Sequence, residues 1–480
     1  MLKNIFITIL LICSVLVVWG QKSVKVKVSG NIITTDGVPA EFINIQLKNT
    51  FYGGTSDGKG YFEFMAPAGQ YTMIVQSIAA HRREFPVTIE EGKENHFADI
   101  EIRENVNQLE QVVVTGQFSP QSMRNSLYKV RTVNSEQIRQ KAPTSVQSLL
   151  NTEIGIRLSN DMALGETDFE LMGMSGNNVK ILLDGIPLID RGATKQSLSQ
   201  LDVNSIERVE IVEGPMSVVY GTDALAGVIN IITKKGDGYS EENTWRVGAR
   251  VQEESMGKEY DFFKDKGLHN ESIDLGFNHK SGLFVNGGYT RNNHGGWQGD
   301  LTGREKRWHP KDQALMNGMF GFQNRNMNVW YRLDFLDEKI FGPNNGSELQ
   351  PEKVSDKDFL TKRYTHQLQS DWKLDNRLDV HAALSYQDYK RRTRTTESDL
   401  STGEKWLSSA EASQDITQYK AWIARATVAW NIAPEFSVQP GVEYQWTQGE
   451  GGRIDGTPKV SDLAFFLSAE YKPWEWLSLR

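Results

Sequence analysis

The chain has 480 residues, more than one ordinary domain of roughly 100–200 residues accommodates. Its net charge of -8 excludes a basic nucleic-acid-binding surface, so no nucleic-acid partner is expected. Hydrophobic residues make up 39% and charged residues 24%, which is too polar for a bundle of membrane helices.

The first predicted element is a leader. Lys3 precedes an apolar run from Ile5 to Val18, broken only by Thr8, Cys13 and Ser14, and Val18 and Gly20 supply the small-residue pattern of a cleavage site before Gln21. The run is short for a spanning helix and reads as a signal peptide over residues 1–20. An uncleaved anchor and a lipobox at Cys13 are the alternatives, and the bulky Ile12 counts against the second. Cys13 is the sole cysteine, so the chain after cleavage relies on packing and strand pairing although export permits disulfides. No later run reaches the 18 or so apolar residues of a membrane helix. Membrane entry would then require a closed barrel, because unpaired backbone cannot face lipid.

Residues 22–104 alternate strongly, with Val24, Val26 and Val28 on one face and short strands at "EFINIQL", "GYFEFM", "QYTMIVQ" and "FPVTIE". This spacing predicts a β-sandwich, with a hairpin turn at Asp57-Gly58. Asp57, Gly60 and Phe62 in "TSDGKGYF" resemble the carboxypeptidase-regulatory-like domain; no His/Glu metal set accompanies them, and no metal or cofactor is expected. Residues 105–116 form a linker whose Glu110, Gln111, Val112, Val113, Val114, Thr115 and Gly116 have strong β propensity. From composition this is either a plain linker strand or a segment able to add itself to another protein's sheet edge.

Residues 117–236 mix helix and strand. Asn134 or Ser135 caps a short helix through Lys141, and Thr144 caps another over "SVQSLLNT". "NVKILLDGIPLID" predicts a hairpin about Asp184-Gly185. From residue 240 onward, segments alternate apolar and polar with aromatics near their ends. Examples are Val329, Tyr331, Leu333 and Phe335 against Arg332 and Asp334, and Leu368 and Trp372 against Gln367, Gln369 and Asp371. Roughly ten such segments of about 9–11 residues predict an antiparallel transmembrane β-barrel. A soluble sheet alternates in the same way, so a soluble exported β-rich binding protein is the competing reading.

"IERVEIVEGPMSVVYGTDALAGVINIITKK" closely resembles the end of the plug domain of TonB-dependent outer-membrane receptors, with Glu213, Gly214, Pro215, Tyr220, Gly221, Gly227 and Asn230 at motif positions. "NNVKILLDGIPL", holding Asp184 and Gly185, is similar to that domain's central hairpin, and "EQVVVTG" resembles a TonB box. The resemblance implies a periplasmic sandwich over 22–104, a plug over 117–236 and the N-terminal part of a barrel over 240–480. It implies a barrel of about 22 strands, of which this chain supplies about half, ending at Arg480 within a strand. The sequence contains no GxxxxGK[ST] phosphate loop, HExxH helix or GxSxG elbow, so no enzymatic activity is expected. The implied function is active import across the bacterial outer membrane, driven through TonB and the inner-membrane proton-driven motor. The expected cargo is a scarce small-molecule metal chelate of the siderophore-iron, haem or cobalamin type; a glycan carried with a surface lipoprotein is the alternative. Asp161 and Met162, Arg191 and Lys195, and His294 and Trp297 are the cargo candidates, each equally readable as a solvated loop residue. Two positions depart from the family pattern. Met172 and Glu213 stand where arginine is usual, and Glu213 is expected to meet a basic residue of the wall.

Overall fold

The structure, a computed structural model, describes the chain apart from residues 1–24, 35–36, 38, 78–79, 94, 103–111, 114–120, 123–128, 162–165, 191–195, 217–219, 221–223, 237–241, 376, 434, 452–453, 475–476 and 480. The leader with Cys13 lies outside the described residues, as do Glu110, Gln111, Val114, Thr115, Gly116, Met162, Arg191, Lys195 and Gly221. The chain divides into two compact units, Met1–Val112 with Ser122–Arg124, and Val113–Gln121 with Asn125–Arg480.

The first unit is a two-sheet sandwich of β1 (Lys25–Thr34), β2 (Asn44–Leu47), β3 (Gly53–Thr55), β4 (Tyr61–Pro67), β5 (Gly69–Ser77), β6 (Ala80–Ile89) and β7 (Asn95–Ile102). The sheets run β4-β1-β7 and β3-β2-β5-β6, and Val28, Ile32, Ile45, Phe62, Met73 and Ile100 fill the space between them. The turn at Asp57-Gly58 does not join two strands of one sheet, as the sequence suggested. The Asp57 carboxylate accepts from the backbone N–H groups of Lys59 and Tyr61 at 2.8 and 2.9 Å. The side chain thereby closes the loop on itself and hands the chain from one sheet to the other.

β8 (Val112–Val113) pairs with β9 (Gln121–Ser122). The α+β domain that follows contains β10 (Val130–Val133), α1 (Ser135–Lys141), α2 (Val146–Leu150), β11 (Ile156–Asp161), β12 (Glu166–Leu171), β13 (Met174–Ser175), β14 (Val179–Leu183), β15 (Ile186–Pro187), β16 (Ile206–Glu213) and β17 (Gly227–Thr233). Asn134 caps α1 in a reciprocal capping box with Gln137. The cap of α2 is Ser145 rather than Thr144, because Ser145 and Ser148 exchange side-chain and backbone bonds. A mixed sheet in the order β10-β16-β17-β14-β15 forms the frame. β17 is buried at every position, so it reads as a continuous apolar run with Asn230 in its middle.

The remaining strands are β18 (Thr244–Glu254), β19 (Leu268–Asn278), β20 (Leu283–His294), β21 (Lys311–Gln323), β22 (Met327–Gly342), β23 (Lys353–Lys373), β24 (Leu378–Asp399), β25 (Lys405–Leu407), β26 (Ile416–Ala433), β27 (Phe436–Glu450), β28 (Lys459–Trp474) and β29 (Leu477–Leu479). They form one up-and-down antiparallel sheet in chain order, with β25 attached to β24. Connections alternate strictly. At one end the strand pairs β19–β20, β21–β22, β23–β24 and β26–β27 are joined by connections of two to four residues. Residues 255–267, 295–310, 343–352, 400–415 and 451–458 make connections of eight to sixteen residues at the other.

Side chains on this sheet segregate as expected for a membrane wall. On β23, Leu368 is 45% exposed while its neighbours Gln367 and Gln369 are 0% and 4% exposed. The buried polar face is turned toward the α+β domain, so the sheet curves around that domain from β18 to β26. Leu368→Arg places a charge near the middle of the outer apolar band. It is expected to cost about 2–4 kcal/mol of barrel stability, read as a lowered urea midpoint for folding into bilayers.

Candidate functional site

The central hairpin is built by its turn. Asp184 and Gly185 have φ of 49° and 84°, the paired positive values of a type I′ turn, and Leu183 faces Ile186 across it. The Asp184 carboxylate accepts from the Thr233 N–H at 3.0 Å, the Thr233 hydroxyl at 2.7 Å and the Lys235 ammonium at 3.0 Å. Asn230 Oδ1 accepts from the Gly185 N–H at 2.9 Å. Asp184, Gly185 and Asn230, far apart in sequence, are thus one cluster. Burial alone would push the Asp184 carboxyl up, but Lys235, Arg332 and the Thr233 bonds outweigh it and hold it below the usual carboxylate range. Lys235 also lies 5.0 Å from the Trp330 ring of the wall.

Around this hairpin the wall grips the domain mostly by its backbone. Gln367 and Gln369 donate to the carbonyls of Leu183 and Asp184 at 3.2 and 2.9 Å. Gln387 donates to Pro187 O at 2.7 Å and accepts from the Ile189 N–H at 3.0 Å, as a neighbouring strand would. Arg363 donates to Ile189 O at 2.8 Å and to the Gln200 side chain at 3.0 Å. Gln313 reaches Ser199 O at 3.0 Å, and Arg250 and Gln252 reach Pro143 O and Ala142 O at 3.0 and 3.1 Å. Side-chain bonds fill in between: Gln200 to Glu338 at 3.0 Å, Arg332 to Ser205 at 3.1 Å, and Thr290 and Asn317 to Asp202 at 2.9 and 3.1 Å. Burial pushes the Asp202 carboxyl up. These wall residues were visible in the sequence only as the polar half of each alternation; nothing there named their partners.

Glu213 does not meet the wall. It pairs with Lys129 at 3.0 Å and Arg131 at 2.9 Å, so the ion cluster staples β16 to β10 and its approach within the domain. The Lys129 hydrogen bond, reinforced by Arg131, lowers the Glu213 pKa. Gly214 turns with φ of 102°, with Pro215 directly after it. Gly227 sits where a Cβ would lie 2.1 Å from Val212 O, so β17 and β16 approach as only glycine permits. The Tyr220 ring is buried, with the guanidinium of Arg425 from the wall 5.2 Å away. Met172 lies exposed in the turn between β12 and β13.

Below the hairpin, toward the short-turn end, lies a cavity of about 420 Å³ between domain and wall. Asp184, Tyr220, Trp330, Asp371, His381 and Arg425 are among its lining residues. At the opposite end, His294 is buried and stacked on Trp308 at 3.6 Å, and its Nδ1 accepts from the Gly296 N–H. Trp297 is partly exposed and bridges to Trp308. His294 therefore braces the base of loop 295–310. Of Asp161, only the backbone, at the end of β11, is described. Among the described residues no group of three metal-ligating side chains comes together.

Comparison with known proteins places these features. Residues 122–228 match the TonB-dependent Receptor Plug Domain and residues 28–114 match the CarboxypepD_reg-like domain. The chain is 32% identical over 139 residues to the vitamin B12 transporter BtuB of Vibrio vulnificus, a match covering 29% of this chain and 23% of that protein. The fold is similar to the ferric enterobactin receptor PfeA from Pseudomonas aeruginosa, with TM-score 0.53, 15% identity, and coverage of 76% of this chain and 57% of that one. It is also similar to P. aeruginosa FpvA, with TM-score 0.52, 13% identity, and coverage of 78% and 60%. The chain thus spans less than two thirds of each of these relatives.

Two outcomes follow from this geometry. Gln387→Ala removes both bonds to the 187–189 backbone and is expected to speed amide exchange at Ile189 by about tenfold, about 1.4 kcal/mol. Because the folded pKa of Glu213 is lowered, its contribution is complete above pH 4.5 and fades as pH falls below that value. Exchange protection of Val130–Val133 should therefore drop on acidification in the wild type, and Glu213→Gln should remove most of the difference between pH 6 and pH 3. Equal pH dependence in both proteins contradicts the assignment.

Proposed function

We propose, from the premise that this chain is a TonB-dependent receptor of the outer membrane with a plug domain and an N-terminal CarboxypepD_reg-like domain, that it imports a scarce metal chelate through the plugged barrel. The family is non-enzymatic, so the work is transport. The observation that carries the proposal is the plug–wall seam. The inner domain is held mainly by hydrogen bonds that water can replace one at a time, with a small apolar contact of Ile186 on Ala383 and Ile423. Such a seam is stable at rest and separable under load.

In this reading cargo binds at the end with long connections. Asp161, Met162, Arg191, Lys195 and Trp297 are the candidate contacts, and His294 acts through the loop it braces. The segment Glu110–Gly116 is the TonB box, and TonB adds a strand to it. The two-residue strand Val112–Val113 already has the extended backbone that such pairing needs. Force from the inner-membrane motor then passes through β10 to the plug sheet. The cavity beneath the hairpin lies on the exit side, where cargo leaves once the wall amides release the 183–189 backbone.

The cargo class rests on the relatives, which carry or bind vitamin B12, ferric enterobactin and an iron pyoverdine by their names. A deletion strain is expected to grow poorly on at least one of iron–siderophore, haem or cobalamin as sole source; normal growth on all three removes this class and favours a glycan. Val113→Pro removes a backbone donor from the strand TonB would pair with. It is expected to reduce energy-dependent uptake by more than about tenfold while leaving cargo binding to intact cells unchanged. Full uptake by this variant contradicts the TonB-box assignment.

A further inference from the structure

The connection between β18 and β19, residues 255–267, is fastened to the outer face of the wall. On β18, Arg250 and Gln252 turn inward to Pro143 O and Ala142 O, so Val251 and Glu253 stand on the outward side. His269 lies directly opposite Glu253 on β19 and shares that side, and its Nδ1 meets the Glu253 carboxylate at 2.7 Å. The same carboxylate accepts from the Tyr260 hydroxyl at 3.0 Å and from the Phe263 N–H at 3.4 Å. Tyr260 and Phe263 belong to the connection, which is thereby drawn against the outward ends of both strands. His269 is buried beneath it although it points away from the lumen.

The outward side chains change character at this level. From the end with short connections they are Trp245, Val247 and Val251 on β18, Leu275 and Ile273 on β19, and Val285 and Tyr289 on β20, all exposed. Beyond them stand Glu253, His269, Glu271 and Arg291. From Trp245 to Glu253 the rise is about 20 Å along the membrane normal, at about 3.3 Å per residue and a tilt of about 40°, close to the height of about 25 Å usual for an apolar band. The fastened connection therefore lies at the boundary between hydrocarbon and headgroups.

At that boundary it presents two aromatic rings. Phe262 and Phe263 are 68% and 47% exposed and meet edge to face at 4.4 Å. They sit on a closed turn, in which the Asp261 N–H donates to Lys266 O at 2.9 Å and the Lys264 N–H donates to Asp261 O at 3.3 Å. Phe263 has φ of 57°, a value that bulky side chains rarely adopt. The turn thus holds two large apolar rings away from the rest of the chain at some cost in backbone strain. Asp261 and Asp265 balance Lys264 and Lys266 around the rings, so the attraction this tip exerts is apolar rather than ionic.

We infer that the Phe262–Phe263 tip inserts into the outer leaflet beside β18 and β19 and anchors the connection 255–267 to lipid. Its occupant is the layer where acyl chains meet headgroups, continuous with the apolar band on the same strands, and aromatic rings favour that layer. The connection is then committed to the bilayer and kept away from the mouth of the lumen. This contact presupposes that the sheet is a membrane wall, so its test carries a control for the wall.

The test uses the full chain with Cys13→Ser in phosphatidylcholine vesicles, carrying a nitroxide at F262C, at L368C on the wall, or at L349C in the connection between β22 and β23. Collision with oxygen, which concentrates in lipid, is compared with collision with a water-soluble nickel chelate. The oxygen-to-nickel ratio at position 262 is expected to exceed that at 349 by about fivefold and to approach that at 368. A water-like ratio at 262 beside a lipid-like ratio at 368 overturns the anchor alone, whereas a water-like ratio at 368 overturns the membrane wall and the anchor with it. Shielding of position 262 from both reagents also overturns the anchor, because protein rather than lipid then covers the tip. If labelled F262C does not fold, F262S replaces it, and amide exchange over 256–266 in vesicles is expected to be about fivefold faster than in the wild type. Unchanged exchange in F262S overturns the anchor.

Discussion

Wall side chains that donate to backbone carbonyls are the interaction on which the rest of this structure depends. A folded domain inside a hydrated cylinder cannot be fixed by a shared apolar core, because the facing wall must stay polar to line a wet lumen. It also cannot leave its outward carbonyls unpaired where water is excluded. Gln367, Gln369, Gln387, Gln313, Arg363, Arg250 and Gln252 meet both demands. Because they read backbone rather than side chains, they fix the position of the hairpin at 183–189 while Leu183 packs into the domain core and Ile186 packs on Ala383 and Ile423 of the wall.

The charge arrangement follows from the same constraint. Asp184 and Asp202 on the plug face Arg332 from the wall, while Lys235 closes the hairpin turn from the plug's own side. Glu213 stands where an arginine is usual, and it answers to Lys129 and Arg131 on the neighbouring strand and its approach. Its carboxylate therefore strengthens the plug internally and contributes nothing to the grip of the wall. The wall supplies the cations and most of the donors, and the plug supplies the acceptors. That division makes the seam tolerant of change in the plug sequence wherever the backbone path is kept.

What could be read from the sequence divides along a physical line. Local rules were sufficient for the I′ turn at Asp184-Gly185, the cap at Asn134, and the period-2 faces of β22 and β23, since each is decided within a few residues. They misassigned the cap of α2, where two serines outcompeted Thr144 by bonding reciprocally. They also misassigned Asp57-Gly58, where a carboxylate closed its own loop. They could not reach Asp184 with Thr233 and Lys235, nor Gln387 with Pro187 and Ile189, because those pairs are set by how the plug sits in the wall. Glu213 shows the limit most clearly. A charge at a motif position announces that it needs a counter-charge, but only the register of β10 against β16 decides which one it finds.

A seam of this kind holds a domain in place without locking it there. A hydrogen bond between protein groups is worth about 0.5–1.5 kcal/mol net, because water competes for each partner. The eight bonds from wall side chains to plug backbone, at Ala142, Pro143, Leu183, Asp184, Pro187, Ile189 and Ser199, together resist thermal displacement. They do not break as a unit when load enters from one side. β10, at one edge of the plug sheet, is joined to it by four ladder positions and the Glu213 cluster. The hairpin at 183–189 lies at the opposite edge of the same sheet, where the wall's amides hold its backbone. Displacing the two edges therefore breaks different sets of bonds, and water entering behind each released carbonyl keeps it satisfied.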